Sequence, residues 1–475
     1  MTRAACPLHA TARRHPESQV VIGPSDQSLT YEECDRQAHT VAAALRSKGI
    51  EPGDRIAFGC AADITSLPVL FGAFRAGVGV YLPNSRFPEA ALRENIARVA
   101  CSLVVGGGVA GIPLPRLEPG ELVRHSFTEG PADVDLHVLA TILATSGSTG
   151  LPKMAVHALD NHVANAEASN TNISLDAGDR WLLSLPVYHV SGLGIIFRCV
   201  LAGAAIAVGE PGEALEESIA RLNVTHVSLV ATQLQRLLGT HEGAELLSRL
   251  KAVLLGGSAI PLGLIERATN LGVPLHTTYG LTETASQVTT TPPGAGVEVL
   301  KTSGKPLHSG RVRISEEGEI EISGRIVFLG YLGEDGSVCR PATPDGWFST
   351  GDLGYFDANG NLVVTGRKDN LFISGGENIQ PEEIEAVLCS LEEVSRAVIV
   401  PVPDPDFGQR PLAFIEAAPG LAMNPECLRR HLEKLLPRYK LPVDYLPWPS
   451  DVPEAGIKIN RRFFQEQAGG RRSHS

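Results

Sequence analysis

The string Thr145-Ser-Gly-Ser-Thr-Gly-Leu-Pro-Lys153 carries the clearest chemistry in the chain. Gly147 and Gly150 let the backbone turn so that successive N–H groups face one anion. Ser146, Ser148 and Thr149 add hydroxyl donors, and Lys153 adds charge. Hydrogen bonds to a charged group contribute about 1.5–3 kcal/mol each, so several of them hold a polyphosphate. The spacing is not that of a Walker loop, because Pro152 stands where that motif has the glycine before its lysine. Taken alone, the string also fits an ordinary Gly/Ser turn. A second feature is Arg198, which lies inside the apolar run 193–201. A buried cation needs a partner, because an unpaired ion costs several kcal/mol. That partner is a ligand, a protein acid or, by snorkelling, solvent.

The 145–153 string resembles the signature of the adenylate-forming superfamily: acyl-CoA synthetases, peptide-synthetase adenylation domains and luciferases. Further strings follow in that family's order over nearly the whole chain. Tyr279-Gly-Leu-Thr-Glu-Thr284 resembles the adenine and magnesium site, and Trp347-Phe-Ser-Thr-Gly-Asp352 the ribose site. Gly366-Arg-Lys-Asp369, with Ser374-Gly-Gly-Glu-Asn-Ile379, resembles the hinge and the start of a mobile domain. The resemblance implies ATP, Mg²⁺ and CoA. It places Thr145, Ser146, Gly147, Ser148, Thr149, Gly150 and Lys153 on the phosphates, and Tyr279 and Gly280 beside the adenine. Thr282 falls to the α-phosphate, Asp352 and Arg367 to the ribose, and Gly257 and Ser258 to the wall along the nucleotide. Glu283 becomes the metal ligand, a hard oxygen donor suited to Mg²⁺. It counts with Lys458 and His189 among the catalytic groups. The family ends in Gly-Lys; here Gly456-Ile-Lys458 is one residue longer, and Lys440 is another lysine in the region. A preorganised donor at developing charge is worth roughly 10²–10³ in rate. Asp369 becomes the hinge, with Ser374, Gly375, Gly376 and Glu377 on the CoA side.

The variant strings at 181–192, 254–261 and 369–383, with the Gly-Ile-Lys-Ile ending, resemble the o-succinylbenzoate–CoA ligase subgroup of menaquinone biosynthesis. That resemblance implies adenylation of 2-succinylbenzoate and transfer of the acyl group to CoA, with release of pyrophosphate and AMP. The acid has two carboxylates. One reacts, and the other pairs with Arg198, whose planar fork suits carboxylates. His189, Ser191 and Gly256 line the acyl pocket on the same basis. An acyl-CoA ligase for another aromatic or short aliphatic acid remains open, as do a stand-alone adenylation enzyme that loads a carrier protein and a dead nucleotide-binding scaffold.

The elements that must position these residues are legible in outline. Thr30-Tyr-Glu-Glu33 is a capping box opening a helix to residue 48, with Gly49 as its left-handed stop. Short apolar strands are expected at 55–60, 78–82, 101–105, 139–143, 181–185, 226–230 and 252–255. Helices at 64–76, 161–170, 233–238 and 262–271 separate many of them. This is the pattern of doubly wound α/β sheets. The stretch 304–364, rich in glycine and turns, reads as a small antiparallel β subdomain. Helices at 381–388 and 425–436, with strands at 397–401 and 411–417, form a compact α+β unit, and residues 469–475 read as a frayed tail. The fold expected is therefore α/β: a large N-terminal domain over 1–366, a hinge at 367–369 and a small mobile C-terminal α+β domain over 370–475.

The 475 residues exceed one ordinary domain, and 43% hydrophobic and 20% charged residues match soluble globular chains. A net charge of −12 argues against a general nucleic-acid binder. The eight cysteines include no CxxC and no metal spacing, which suits reduced thiols in a cytoplasmic protein. The apolar stretch 190–208 has the length of a membrane span, but Arg198, Gly192, Gly194 and Gly203 interrupt it; a helix and a buried strand over 204–208 are expected. The partners expected are small molecules, with a homodimer left open.

Overall fold

In a computed structural model of the chain, the described residues are 3–59, 63–107, 112–124, 132–145, 152–257, 260–391, 393–418, 420–452 and 460–472. Helix Tyr31–Ser47 opens on the capping box. The Glu33 N–H donates to the Thr30 hydroxyl at 3.2 Å, and the Thr30 N–H donates to the Glu33 carboxylate at 2.9 Å. Gly49 follows at φ +80°. The helix packs its Ala38–Val41 face on helix Ser66–Ala76, where Gly72 permits close approach: a Cβ there would lie 2.5 Å from Val41.

Among the described residues the strands form two large mixed sheets. The eight-stranded sheet runs Val338–Cys339, Gly330–Leu332, Lys153–Ala158, Leu139–Thr145, Gly79–Leu82, Arg55–Gly59, Leu103–Gly106, Arg116–Leu117. The nine-stranded sheet runs Lys305–Pro306, Ser286–Thr290, Leu275–Leu281, Ala252–Leu255, His226–Leu229, Arg180–Leu182, Ala205–Ala207, Gln19–Ile22, Ser28–Thr30. One apolar cluster joins them, from Ile56, Val80 and Val105 through Val41, Phe71 and Phe197 to Val21, Trp181 and Ile206. Its helical members lie on Tyr31–Ser47, Ser66–Ala76 and Val190–Ala202.

The centres of the sheets are parallel, as the alternation of strands and helices predicts. Three of the four edges are antiparallel, and only Arg116–Leu117 joins its neighbour Leu103–Gly106 in parallel. Strand Lys153–Ala158, absent from the sequence reading, pairs antiparallel with Leu139–Thr145, Lys153 opposite Thr145. Thr145 and Lys153, the two ends of the 145–153 string, therefore face each other on neighbouring antiparallel strands. The 304–364 stretch also divides. Gly310–Ile314, Glu319–Gly324, Phe348–Phe356 and Leu362–Arg367 make a four-stranded antiparallel sheet, while Lys305–Pro306 and Gly330–Leu332 with Val338–Cys339 extend the edges of the two large sheets.

Beyond Arg367, hairpin Phe372–Ser374/Glu377–Ile379 precedes helices Pro381–Leu388 and Pro425–Leu435. The helices pack with the sheet Val394–Asp404, Gly408–Ala417, Tyr445–Pro447 around Ile384, Leu388, Ile399, Ile415 and Leu432. The expected frayed tail is corrected: helix Arg461–Arg472 continues through residue 469. Phe464 anchors it, its ring centroid 5.2 Å from Phe414 and 4.8 Å from Trp448. No helix among the described residues is long and apolar enough to cross a membrane. The 190–208 stretch resolves into helix Val190–Ala202, a left-handed Gly203 and strand Ala205–Ala207.

Candidate functional site

Strands Arg180–Leu182, His226–Leu229, Ala252–Leu255 and Leu275–Leu281 are parallel neighbours. The site residues leave from their carboxyl ends: His189 and Ser191 after the first, Gly256 and Gly257 after the third, Thr282 and Glu283 after the last. Open α/β sheets bind ligands in the crevice at those ends.

Thr282–Thr284 is one tight turn, held from several sides. His157 donates from Nε2 to the Thr282 carbonyl at 2.7 Å. Asn165 donates to the carbonyls of Thr284 at 3.0 Å and Gln287 at 2.7 Å. The Phe328 N–H donates to the Glu283 carbonyl at 2.9 Å, and the Tyr331 hydroxyl to Glu283 Oε1 at 2.6 Å. Burial pushes the His157 imidazole down to about 4, so the ring is neutral and serves as a fixed donor. At the hairpin base the Thr145 hydroxyl donates to the Lys153 carbonyl at 3.3 Å, and Arg98 donates to the Pro152 carbonyl at 2.8 Å. The Lys153 ammonium stands 5.1 Å from the centre of the Tyr331 ring, which brings the phosphate string and the Glu283 turn together. Glu283 keeps a hard carboxylate with one oxygen anchored, a donor that fits Mg²⁺. Ser146, Gly147, Ser148, Thr149, Gly150, Ser258 and Lys458 lie outside the described residues.

Tyr279 donates its hydroxyl to Asp352 Oδ2 at 2.6 Å, and Arg367 donates to Asp352 Oδ1 at 2.9 Å. One buried carboxylate thus ties the adenine string to the ribose string and the start of the hinge. Burial first, then the Asp352 charge, holds the Tyr279 phenol well above its usual range, so it remains a donor. Gly280 is needed where this strand crosses its neighbour, since a Cβ would lie 1.8 Å from the Ser286 carbonyl oxygen.

Arg198 sits on the inner face of helix Val190–Ala202 at 1% exposure. It does not snorkel. Its guanidinium lies 5.0 Å from the Trp181 ring centre and donates from Nη2 to the Ser286 hydroxyl at 3.3 Å. Nε and Nη1 have no partner among the described residues, and burial pushes the group down to about 10. Gly194, one turn earlier, leaves the space: a Cβ there would be 3.0 Å from Nη2. Ala285 and Ser286 hold φ of +56° and +141°, backbone strain of roughly 1–3 kcal/mol per residue that turns Ser286 toward this group. His189 forms the N-terminal boundary of the same helix, its ring 4.8 Å from that of Tyr188.

A family model described as AMP-binding enzyme matches residues 8–332, and one described as AMP-binding enzyme C-terminal domain matches residues 383–455. The chain belongs to the AMP-binding enzyme family. The 2-succinylbenzoate–CoA ligase of Salmonella typhimurium is 34% identical over 445 residues, 93% of each chain. That of Escherichia coli is 34% identical over 450 residues, 94% of this chain and 95% of the other. Among solved structures, o-succinylbenzoate CoA synthetase from Bacillus subtilis in complex with the acyl-adenylate intermediate OSB-AMP superposes with a TM-score of 0.85 at 28% identity, covering 98% of this chain and 99% of that one. The same enzyme in complex with ATP and magnesium ion gives 0.83 at 28% identity, covering 98% and 100%.

In this AMP-binding enzyme, Asp369 lies in the turn Lys368–Asn370 between strands Leu362–Arg367 and Phe372–Ser374, 3.6 Å from Arg367. Gly375 and Gly376, at φ +59° and +88°, make the tip of the hairpin that carries Ser374 and Glu377. Lys440 pairs with Glu383 at 2.5 Å, which occupies it within its own domain. Sequence reasoning missed Tyr331, His157, Asn165, Ser286 and Arg98, because each reaches the site by a pairing distant in sequence. Elsewhere, His9, Asp35 and His39 cluster on two helices, but Asp35 is already paired with the buried Arg75 and bonded to His9. That network ties three helices together.

Proposed function

We propose that this AMP-binding enzyme adenylates 2-succinylbenzoate with ATP and transfers the acyl group to CoA, giving 2-succinylbenzoyl-CoA, AMP and pyrophosphate. The observation that carries the choice of acid is the fully buried Arg198, two of whose nitrogens have no partner among the described residues. A stable fold tolerates such a group where a ligand anion completes it, and a dicarboxylic acid brings a spare carboxylate to it. The ligase names of the relatives agree with this reading.

In the first step the reacting carboxylate attacks the α-phosphorus, an O–P bond forms, and pyrophosphate leaves. Lys153 and the 145–150 string hold the phosphates, Thr282 donates to the α-phosphate, and Asp352 with Arg367 holds the ribose beside Tyr279. Gly257 and Ser258 line the nucleotide, while His189, Ser191 and Gly256 line the acid. Glu283 would hold Mg²⁺, which would supply neutralisation of phosphate charge. Lys458 stabilises the charge that develops during attack. The domain over 370–475 then turns about Asp369 relative to the large domain over 1–366, whose β subdomain spans about 304–364. This turn withdraws Lys458 and brings Ser374, Gly375, Gly376 and Glu377 beside the CoA thiol. Thiolysis breaks the acyl–phosphate bond and releases AMP. A cytoplasmic setting is the one the cysteine pattern of the sequence suits, with no CxxC and no metal spacing. A homodimer is the assembly to test by light scattering.

The test is acid-dependent ATP–pyrophosphate exchange followed by product analysis with free CoA. Exchange with o-succinylbenzoate and CoA-dependent thioester formation are expected. Exchange without thioester would point to a carrier protein as acceptor, and absence of both would end the reading.

A further inference from the structure

Tyr331 belongs to none of the strings that identify the family site, yet it touches two of them. Strand Gly330–Leu332 pairs antiparallel with Lys153–Ala158, placing Tyr331 opposite Ala155 and two residues along from Lys153. The phenol O–H donates to Glu283 Oε1 at 2.6 Å, across 48 residues of sequence. The face of the ring carries the Lys153 ammonium at 5.1 Å from its centre. Behind it, Phe328 packs edge-on with a centroid distance of 4.9 Å, and the Phe328 N–H holds the Glu283 carbonyl at 2.9 Å. Ring and hydroxyl therefore act on different groups: the ring on a cation of the phosphate string, the hydroxyl on one oxygen of the metal-binding carboxylate.

We propose that Tyr331 is a positioning residue that sets the metal-binding geometry of Glu283 and couples it to Lys153, an inference that rests on the adenylating reading above. The hydroxyl fixes Oε1 and with it the orientation of the carboxylate, so Glu283 would meet Mg²⁺ in a set pose. The ring holds the Lys153 ammonium near the phosphates without neutralising it, as a carboxylate would.

Two substitutions separate the two contacts. Tyr331→Phe keeps the ring, the packing on Phe328 and the Lys153 contact, and loses only the hydroxyl. Tyr331→Leu loses both. Metal binding is read directly, by titrating Mn²⁺ in electron paramagnetic resonance with a non-hydrolysable ATP analogue present; analogue affinity without metal is read by calorimetry. For Tyr331→Phe, Mn²⁺ affinity should fall roughly tenfold while metal-free analogue affinity stays at the wild-type value. For Tyr331→Leu, the metal-free affinity should fall as well. Glu283→Gln, measured alongside, should lose the Mn²⁺ site. If wild type binds Mn²⁺ and Glu283→Gln does not, but Tyr331→Phe matches wild type, the positioning role is overturned and the adenylating reading stands. If wild type with the analogue binds no Mn²⁺, both are overturned. Equal losses of metal and metal-free analogue affinity in Tyr331→Phe would mean a general structural defect and would also overturn the proposal.

Discussion

Arg198 is a buried cation whose Nε and Nη1 have no partner among the described residues. The Trp181 and Ser286 contacts offset only part of the desolvation, and apolar replacement of buried ionic groups is often neutral or stabilising. Function and stability should therefore separate at this residue. Arg198→Leu is expected to lower kcat/KM for o-succinylbenzoate by roughly 30-fold or more, the cost of removing one partner of a buried charge pair. KM for ATP should hold, and the melting temperature of the free protein should hold or rise. Steady-state kinetics and a thermal melt check both halves, and a variant that uses the acid normally removes the assigned role. The need for a partner was legible because it follows from one charge inside an apolar run. Which partner was not, because Trp181 and Ser286 arrive from strands far along the chain.

Elements whose signals are local match the sequence reading closely. The capping box at Thr30, the stop at Gly49, strand Ala252–Leu255 and helix Pro381–Leu388 each depend on neighbours within a turn or two. Thr30→Ala should cost about 1 kcal/mol of stability and leave the exchange rate per folded molecule unchanged, by denaturant titration and exchange assay on the same sample. A loss of activity with unchanged stability would contradict a purely capping role. Strand Lys153–Ala158 was missed because its pattern is short and it carries a histidine on a buried position. Only the pairing with Leu139–Thr145 explains it, and that pairing sets Lys153 opposite Thr145. His157, Asn165 and Tyr331 escaped for the same reason: each acts on a turn more than 40 residues away.

For the whole molecule, buried histidines tie stability to pH. Burial lowers His157 and His162 from an ordinary value of 6.5, His157 to about 4. The unfolded chain therefore binds protons first as the pH falls. Their contribution is fully present above about 6.5 and is lost as pH drops toward the folded value, by about 1.4 kcal/mol per pH unit for each fully buried group. Melting temperature should fall between pH 7.5 and 5. His157→Gln, which keeps a donor for the Thr282 carbonyl, should show a shallower fall, and an unchanged slope would contradict the assignment. Domain motion is tested at Asp369. Proline there restricts the backbone of the turn, so Asp369→Pro should reduce adenylation and thioester formation by clearly different factors in single-turnover assays. Equal loss in both would argue against a swing about this residue. The order of strings along the sequence made the two-part architecture legible, whereas the division of 304–364 among three sheets was not, because edge pairing is decided by distant strands.

The central claim, a ligase selective for an acid with a second carboxylate, is tested most directly by one ratio: kcat/KM for CoA thioester formation from o-succinylbenzoate over that from benzoate, at saturating ATP, Mg²⁺ and CoA. The predicted ratio is roughly 100 or more, the discrimination expected when a buried cation is paired by one substrate and left unpaired by the other. A ratio near one, or turnover of benzoate without turnover of o-succinylbenzoate, would contradict it.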